Sequence, residues 1–210
     1  MKKLYFLIAT ASLMLSCSQE DITSNFEKLP INISVGQQTR ANDSTFENED
    51  EVGIYVVNYD GATAGALAAT GNQVDNERFT YNNGAWTPDE TIYWKDQSTA
   101  ADFYAYYPYS SENDGREATS LVGTVPARHV MGGALSGDYK YGELRSRDED
   151  GGYRFKFHNL FSMVRFKVDV TGSKLEGKVL EKITLKVTRE DGTVPAVTGS
   201  FTFSAADGSY

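Results

Sequence analysis

The sequence predicts an all-β protein, an antiparallel β-sandwich in one or two domains. Apolar and polar residues alternate with period two in segment after segment, as strands with one buried face do, and helical periodicity is almost absent. Gly, Asp and Asn turn signals separate the segments. The 13 Tyr and 11 Phe supply most of the aromatic content, which favours pleated, half-buried strands over helices.

The N-terminus comes first. Lys2 and Lys3 precede an apolar run from Leu4 to Leu15, the charged and apolar parts of an export signal. That run is shorter than the roughly 20 residues a spanning helix needs. Ser16 then stands directly before Cys17, the one cysteine of the chain. A thiol at this position reads as the attachment point of a diacylglycerol after cleavage; the alternative is an ordinary secretory signal with an incidental cysteine. With no further cysteine to form a disulfide, the mature protein depends on its core alone. Ser18, Gln19, Glu20 and Asp21 place two carboxylates just behind Cys17. This tetrad resembles the acidic export tag of surface-displayed Gram-negative lipoproteins, the competing destination being a periplasm-facing anchor.

The strands follow in order. Ile31, Ile33 and Val35 alternate with polar residues, and a polar stretch from Gln37 to Glu51 separates them from Val52, Ile54 and Val56. Asp60-Gly61 marks a turn, and the Gly-broken Ala62–Ala69 stretch reads as a loop or a single turn. Phe79 and Tyr81 lead into Asn83-Gly84, a dipeptide suited to the positive φ angles of a tight hairpin, with Trp86 on the return and Ile92 and Trp94 after Pro88. Phe103, Ala105 and Tyr107 point one way and Tyr104 and Tyr106 the other, so this strand is apolar on both faces, should be central, and ends at Pro108. Met131–Gly152 reads as a polar surface loop that could mark a domain boundary or lie within one sandwich. Beyond it, Tyr153, Phe155 and Phe157 alternate, as do Val164, Phe166, Val168 and Val170, and then Ile183, Leu185 and Val187. Asp191-Gly192 is a hairpin signal before Phe201 and Phe203.

Charge and motifs narrow the function. The net charge is −9, and removing a leader with two lysines and no acid takes it to −11. Such acidity argues against nucleic acid or an anionic membrane face as a partner, since either would want clustered Lys and Arg. His129 and His158 lack spaced Cys or His partners, so no zinc site is indicated and no cofactor is expected. Acidic clusters at Glu47–Glu51 and Asp148–Asp150 lack the spacing of a calcium loop and read as solvated loops, with weak calcium binding the alternative. No nucleophile elbow, phosphate loop or Cys/His pair is present, and paired acids alone do not make a glycosidase. No catalytic residue is assigned, and the chain is not expected to be an enzyme. Trp86, Trp94 and Tyr104, Tyr106, Tyr107 and Tyr109 could stack on sugars if exposed, but such residues more often fill a sandwich core.

Six landmarks in fixed order then resemble the fimbrillin family, the surface lipoproteins that build type V pili of Gram-negative bacteria. They are Thr39-Arg40-Ala41, Val52-Gly53-Ile54-Tyr55, Trp86 with Ile92-Tyr93-Trp94, Phe103-Tyr104-Ala105-Tyr106-Tyr107-Pro108, Phe155-Lys156-Phe157-His158-Asn159-Leu160, and Met163–Val170. The resemblance implies transthyretin-like sandwiches in tandem. It also implies a precursor that is lipidated, carried to the surface, and cut by an arginine-specific protease after its first strand. Here Ile31–Val35 would be the removable strand and Arg40-Ala41 the scissile bond, unless Arg40 is simply a loop arginine. A donor segment from another subunit would then fill the vacated groove.

On this basis residues 1–17 are the lipoprotein signal and lipidated Cys17, and 18–40 the tether and removable strand. Residues 41–150 are the N-terminal sandwich, and 151–210 an incomplete second sandwich or a continuation of the first. The chain stops at Tyr210, where family chains usually continue, and so reads as truncated. The expected function is a structural subunit or adhesin of a cell-surface fimbria, located at the outer membrane and partnered by other fimbrial subunits, with a possible host glycan or protein ligand. The alternative is a non-polymerising surface lipoprotein that binds glycans.

Overall fold

The structure, a computed structural model, describes residues 28–35, 46–127, 137–147, 153–162, 167–179, 181–184, 186–194 and 196–210. It is all-β. In chain order the strands are β1 (Ile33–Val35), β2 (Glu51–Asn58), β3 (Val74–Asn82), β4 (Ala85–Pro88), β5 (Ala101–Tyr107), β6 (Leu121–Val125), β7 (Lys140–Arg147), β8 (Tyr153–Asn159) and β9 (Gly199–Phe203). Among the described residues one 3-10 turn, Ser111–Asn113, is present, capped by the Ser110 hydroxyl.

Seven strands form one sheet in the order β1-β8-β7-β5-β2-β3-β4, while β6 and β9 pair as a separate ribbon. Every pairing is antiparallel except β1 with β8, which is parallel. The local reasons are those legible in the sequence. Asn83 (φ 51°) and Gly84 (φ 91°) turn β3 into β4 through two left-handed residues, as a tight hairpin requires. The β5 strand lies between β2 and β7, central as expected. Its two apolar faces serve two cores. Phe103, Ala105 and Tyr107 join Ile31, Ile33, Val52, Ile54, Val56, Phe79, Phe155 and Phe157 in one cluster. On the opposite face Tyr104 and Tyr106 join Tyr55, Leu121, Leu160 and Phe203, under the β6–β9 ribbon. Gly53 makes room for this second core, since a Cβ there would strike the Tyr106 ring and Asn76 Oδ1.

Two expectations are corrected, and one strand appears for which the sequence reading made no assignment. Lys140–Arg147, read as part of a surface loop, is β7 and sits between β5 and β8. It pairs from Lys140↔Asn159 to Arg147↔Tyr153, so both sides of residue 150 contribute to the same sheet. Leu121–Val125 is a strand with no strong alternation of its own. Conversely, the described parts of Met163–Val170 and Ile183–Val187 are not in strands, and Val168, Ile183 and Val187 are exposed. Alternation specifies an apolar face but supplies no partner edge, and no described strand pairs with these segments.

Candidate functional site: the seat of the first strand

The segment from Leu29 to Val35 lies in the seam of the seven-stranded sheet. Its first half faces the chain that follows β4: the Trp94 N–H donates to Leu29 O (3.0 Å), the Ile31 N–H donates to Ile92 O (2.9 Å), and Pro30 bridges Tyr93 in antiparallel fashion. Its second half faces β8: Ile33, Ser34 and Val35 register in parallel with Tyr153, Arg154 and Phe155, and the Tyr153 N–H donates to Asn32 O (2.9 Å). One short strand thus joins the two ends of the sheet and nearly closes it.

Period two decides what this strand buries. Ile31 and Ile33 are 5% and 8% exposed, while Pro30 and Asn32, on the other phase, face solvent. The floor beneath them is aromatic. Trp94 meets Phe103 edge-on (5.8 Å) and Tyr153 at 5.4 Å, and Tyr153 stacks on Phe103 at 4.9 Å. The strand's backbone bonds to β8 and to residues 92–94 thus lie over an aromatic part of the first core.

The attachment of the strand to the rest of the molecule is slight. Fully burying an isoleucine contributes about 1.5–3 kcal/mol, so Ile31 and Ile33 together supply roughly 3–6 kcal/mol, and ordering each residue costs about 1–2 kcal/mol. On the strand's C-terminal side the next described residue is Phe46. That ring is anchored edge-on against Trp86 (5.0 Å), Tyr107 (5.5 Å) and Phe157 (5.4 Å). Arg40 and Ala41 therefore fall, in sequence, between a thinly held strand and a firmly packed ring. Both lie outside the described residues, as do Cys17, Ser18, Gln19, Glu20, Asp21 and His129.

Other sequence candidates resolve into structure. Trp86 and Trp94 pack against the first core and Tyr106 is fully buried, so these rings are committed to packing. His158 stacks on Tyr141 at 5.1 Å. Among the described residues no cluster of three or more His, Cys, Asp or Glu is placed to hold a metal ion, and no helix is long and apolar enough to cross a membrane. One feature carried no sequence signal: Lys140 is buried, its Nζ bonded to Asp138 and 5.4 Å from the centre of the Tyr107 ring, whose hydroxyl donates to Asp50 (3.0 Å).

These features define an all-β protein whose first strand sits in the seam of its main sheet. The chain belongs to the fimbrillin-like family, whose sequence model matches residues 39–209, beginning just beyond β1. It is 35% identical over 95 residues to a Bacteroides ovatus protein named "Putative fimbrium tip subunit Fim1C", covering 43% of this chain and 16% of that one. It is 39% identical over 77 residues to the Bacteroides uniformis protein named "Putative fimbrium subunit Fim1C", covering 36% of this chain and 24% of that one. These matches therefore span a quarter or less of either relative. A crystal structure of a fimbrial protein from Bacteroides ovatus aligns with 63% of this chain and 28% of its own, at 22% identity and a TM-score of 0.38.

Proposed function

We propose that this chain is a structural subunit or adhesin of a cell-surface fimbria, made as a precursor anchored at the outer membrane through Cys17 and assembled by strand addition. Its role is to bind other fimbrial subunits, and catalysis has no part in it. The observation that carries this reading is the seat of β1: two buried isoleucines packed in an aromatic-rich core, with the strand paired to β8 on one side and bonded to residues 92–94 on the other. Arg40 stands between that strand and the firmly packed Phe46, and the family match begins one residue before it. Cutting after Arg40 turns the strand into a dissociable peptide and opens the groove to a donor strand from another subunit. The acidic Glu20 and Asp21 behind Cys17 direct the precursor to the surface.

The reading is tested with an arginine-specific protease on the purified precursor. We expect release of a peptide ending at Arg40, a change in Trp94 fluorescence as its side of the core is uncovered, and capture of a donor strand from a full-length homologue. Arg40→Ala should block all three while leaving the fold intact. A cleaved protein that stays monomeric and takes up no donor strand would refute the polymerising role.

A further inference from the structure

We propose that the outer edge of β9 is an acceptor for this chain's own segment Lys182–Val187, which docks there as a third strand and seals the β6–β9 layer. The two edges of this ribbon are treated differently. On β6 the Val122 N–H donates to Asn113 Oδ1 (2.9 Å) and Asn113 Nδ2 donates to Val122 O (3.3 Å). The Thr124 N–H donates to the Tyr139 hydroxyl (2.8 Å), which in turn donates to Thr124 O (3.2 Å). The outward backbone groups of β6 are thus occupied by two side chains, and that edge is closed. Because outward and inward residues alternate along an antiparallel ladder, Leu121, Gly123 and Val125 bond to Phe203, Phe201 and Gly199. The same alternation turns the N–H and C=O groups of Ser200 and Thr202 away from β6. No strand among the described residues pairs with them there. A two-stranded ribbon is marginal by itself, and an open edge beside apolar rings invites pairing.

The occupant is indicated by pattern, reach and need. Ile183-Thr184-Leu185-Lys186-Val187 carries three aliphatic residues on one face and Thr and Lys on the other. Ile183 and Val187 are exposed, at 47% and 44%, and neither lies in a strand. An antiparallel register with Leu185 opposite Phe201 places Ile183 opposite Phe203 and Val187 opposite Gly199. Thr184 and Lys186 then fall opposite Thr202 and Ser200, the residues whose backbone groups point outward, and all four polar side chains share the exposed face. The connection, residues 188–198, already reverses direction where the Arg189 N–H donates to Thr193 O (2.8 Å) and the Gly192 N–H donates to Arg189 O (2.9 Å). Extended at about 3.3–3.6 Å per residue, it far exceeds the roughly 4.8 Å between neighbouring strands. A tether this short gives an effective concentration on the order of millimolar, and a chain of net charge −9 repels its own copies. The same molecule therefore outcompetes a second one.

Amide hydrogen exchange on the full chain tests this. Thr184, Lys186, Ser200 and Thr202 should be protected together, by at least about tenfold over the flanking turn. Leu185→Asp should abolish that protection while leaving the amides of β8 unchanged. With Cys17→Ser, the pair Thr184→Cys and Thr202→Cys should oxidise to a disulfide within one molecule, independent of protein concentration. Free exchange at Ser200 and Thr202 would overturn the proposal, as would protection that survives Leu185→Asp, which would mean another occupant. A disulfide formed only between molecules would assign the edge to a second copy and overturn it equally.

Discussion

Tyr55 on β2 and Tyr106 on β5 are neighbouring buried tyrosines, 6.4 Å apart between ring centres, whose hydroxyls meet opposite fates. The Tyr106 hydroxyl donates to Asn76 Oδ1 (2.8 Å) and accepts from the Ser110 N–H (3.2 Å), while Asn76 itself donates to Asp114 (2.6 Å) and Ser110 O (3.2 Å). The Tyr55 hydroxyl has no hydrogen-bond partner among the described residues. Removing the first leaves Asn76 with an unpaired buried oxygen, whereas removing the second relieves an unpaid desolvation. Tyr106→Phe should therefore lower stability by about 1–3 kcal/mol, and Tyr55→Phe should be neutral or stabilising by up to about 1 kcal/mol. Urea midpoints of the two isosteric variants measure this, and equal shifts would contradict it. The same residues set an alkaline limit. Burial pushes the Tyr106 phenol from its ordinary value of 10.0 up to about 12, and burial also raises Tyr55 and Tyr107, the latter helped by Asp50. A raised value in the fold means that the unfolded phenol ionises first, so this stabilisation is complete below pH 10 and lost as pH rises from there toward 12. The urea midpoint should be flat at neutral pH and fall across pH 10–12, less steeply in Tyr106→Phe.

At the scale of elements, β5 carries the sheet. Phe103 is 5% exposed, stacks on Tyr153 and meets Trp94, so Phe103→Ala should cost about 3–5 kcal/mol, as truncating a large core ring does. An unchanged denaturation midpoint would show that the strand is not the centre of the core. The two-faced alternation of β5 was readable because both faces are buried, and β8 was readable because Phe155 and Phe157 alternate with charged neighbours. The β7 strand was not, since its central place depends on partners remote in sequence. Lys140 is tolerated inside because Asp138 and the Tyr107 ring receive its ammonium. Gly142 is required because a Cβ there would sit 2.8 Å from the Ala105 Cβ and 3.0 Å from Phe155. The candidate site was legible in the same partial way. Alternation in Ile31–Val35 announces a strand with one buried face, but its parallel partner β8 lies 120 residues away (Ile33 opposite Tyr153), a pairing with no local signal. The segments around Val168 and Ile183 show the converse, in which a strand pattern persists though no described strand pairs with it.

For the molecule as a whole, the proposed route to a fibre makes demands at both ends of the tether. Until the first strand leaves, both edges flanking its seat are paired, so the precursor can travel without sticking to its neighbours. During that time something must hold it at the membrane, and among the described residues no helix is long and apolar enough to do so. The proposed anchor is Cys17, the one cysteine in the chain. Each buried methylene of an acyl chain contributes about 0.8 kcal/mol, so a single chain binds marginally whereas two or three hold a protein durably. Cys17→Ala should therefore move the protein from the membrane fraction to the soluble fraction. It should also abolish labelling by a palmitate analogue, yet leave the urea midpoint of the folded part unchanged, because neither core cluster among the described residues contains a cysteine. Arg40→Ala, in contrast, should keep the lipid and the membrane association while blocking release of the first strand. Equal labelling of wild type and Cys17→Ala would remove the anchor, leaving the strand-addition reading to stand or fall on cleavage after Arg40.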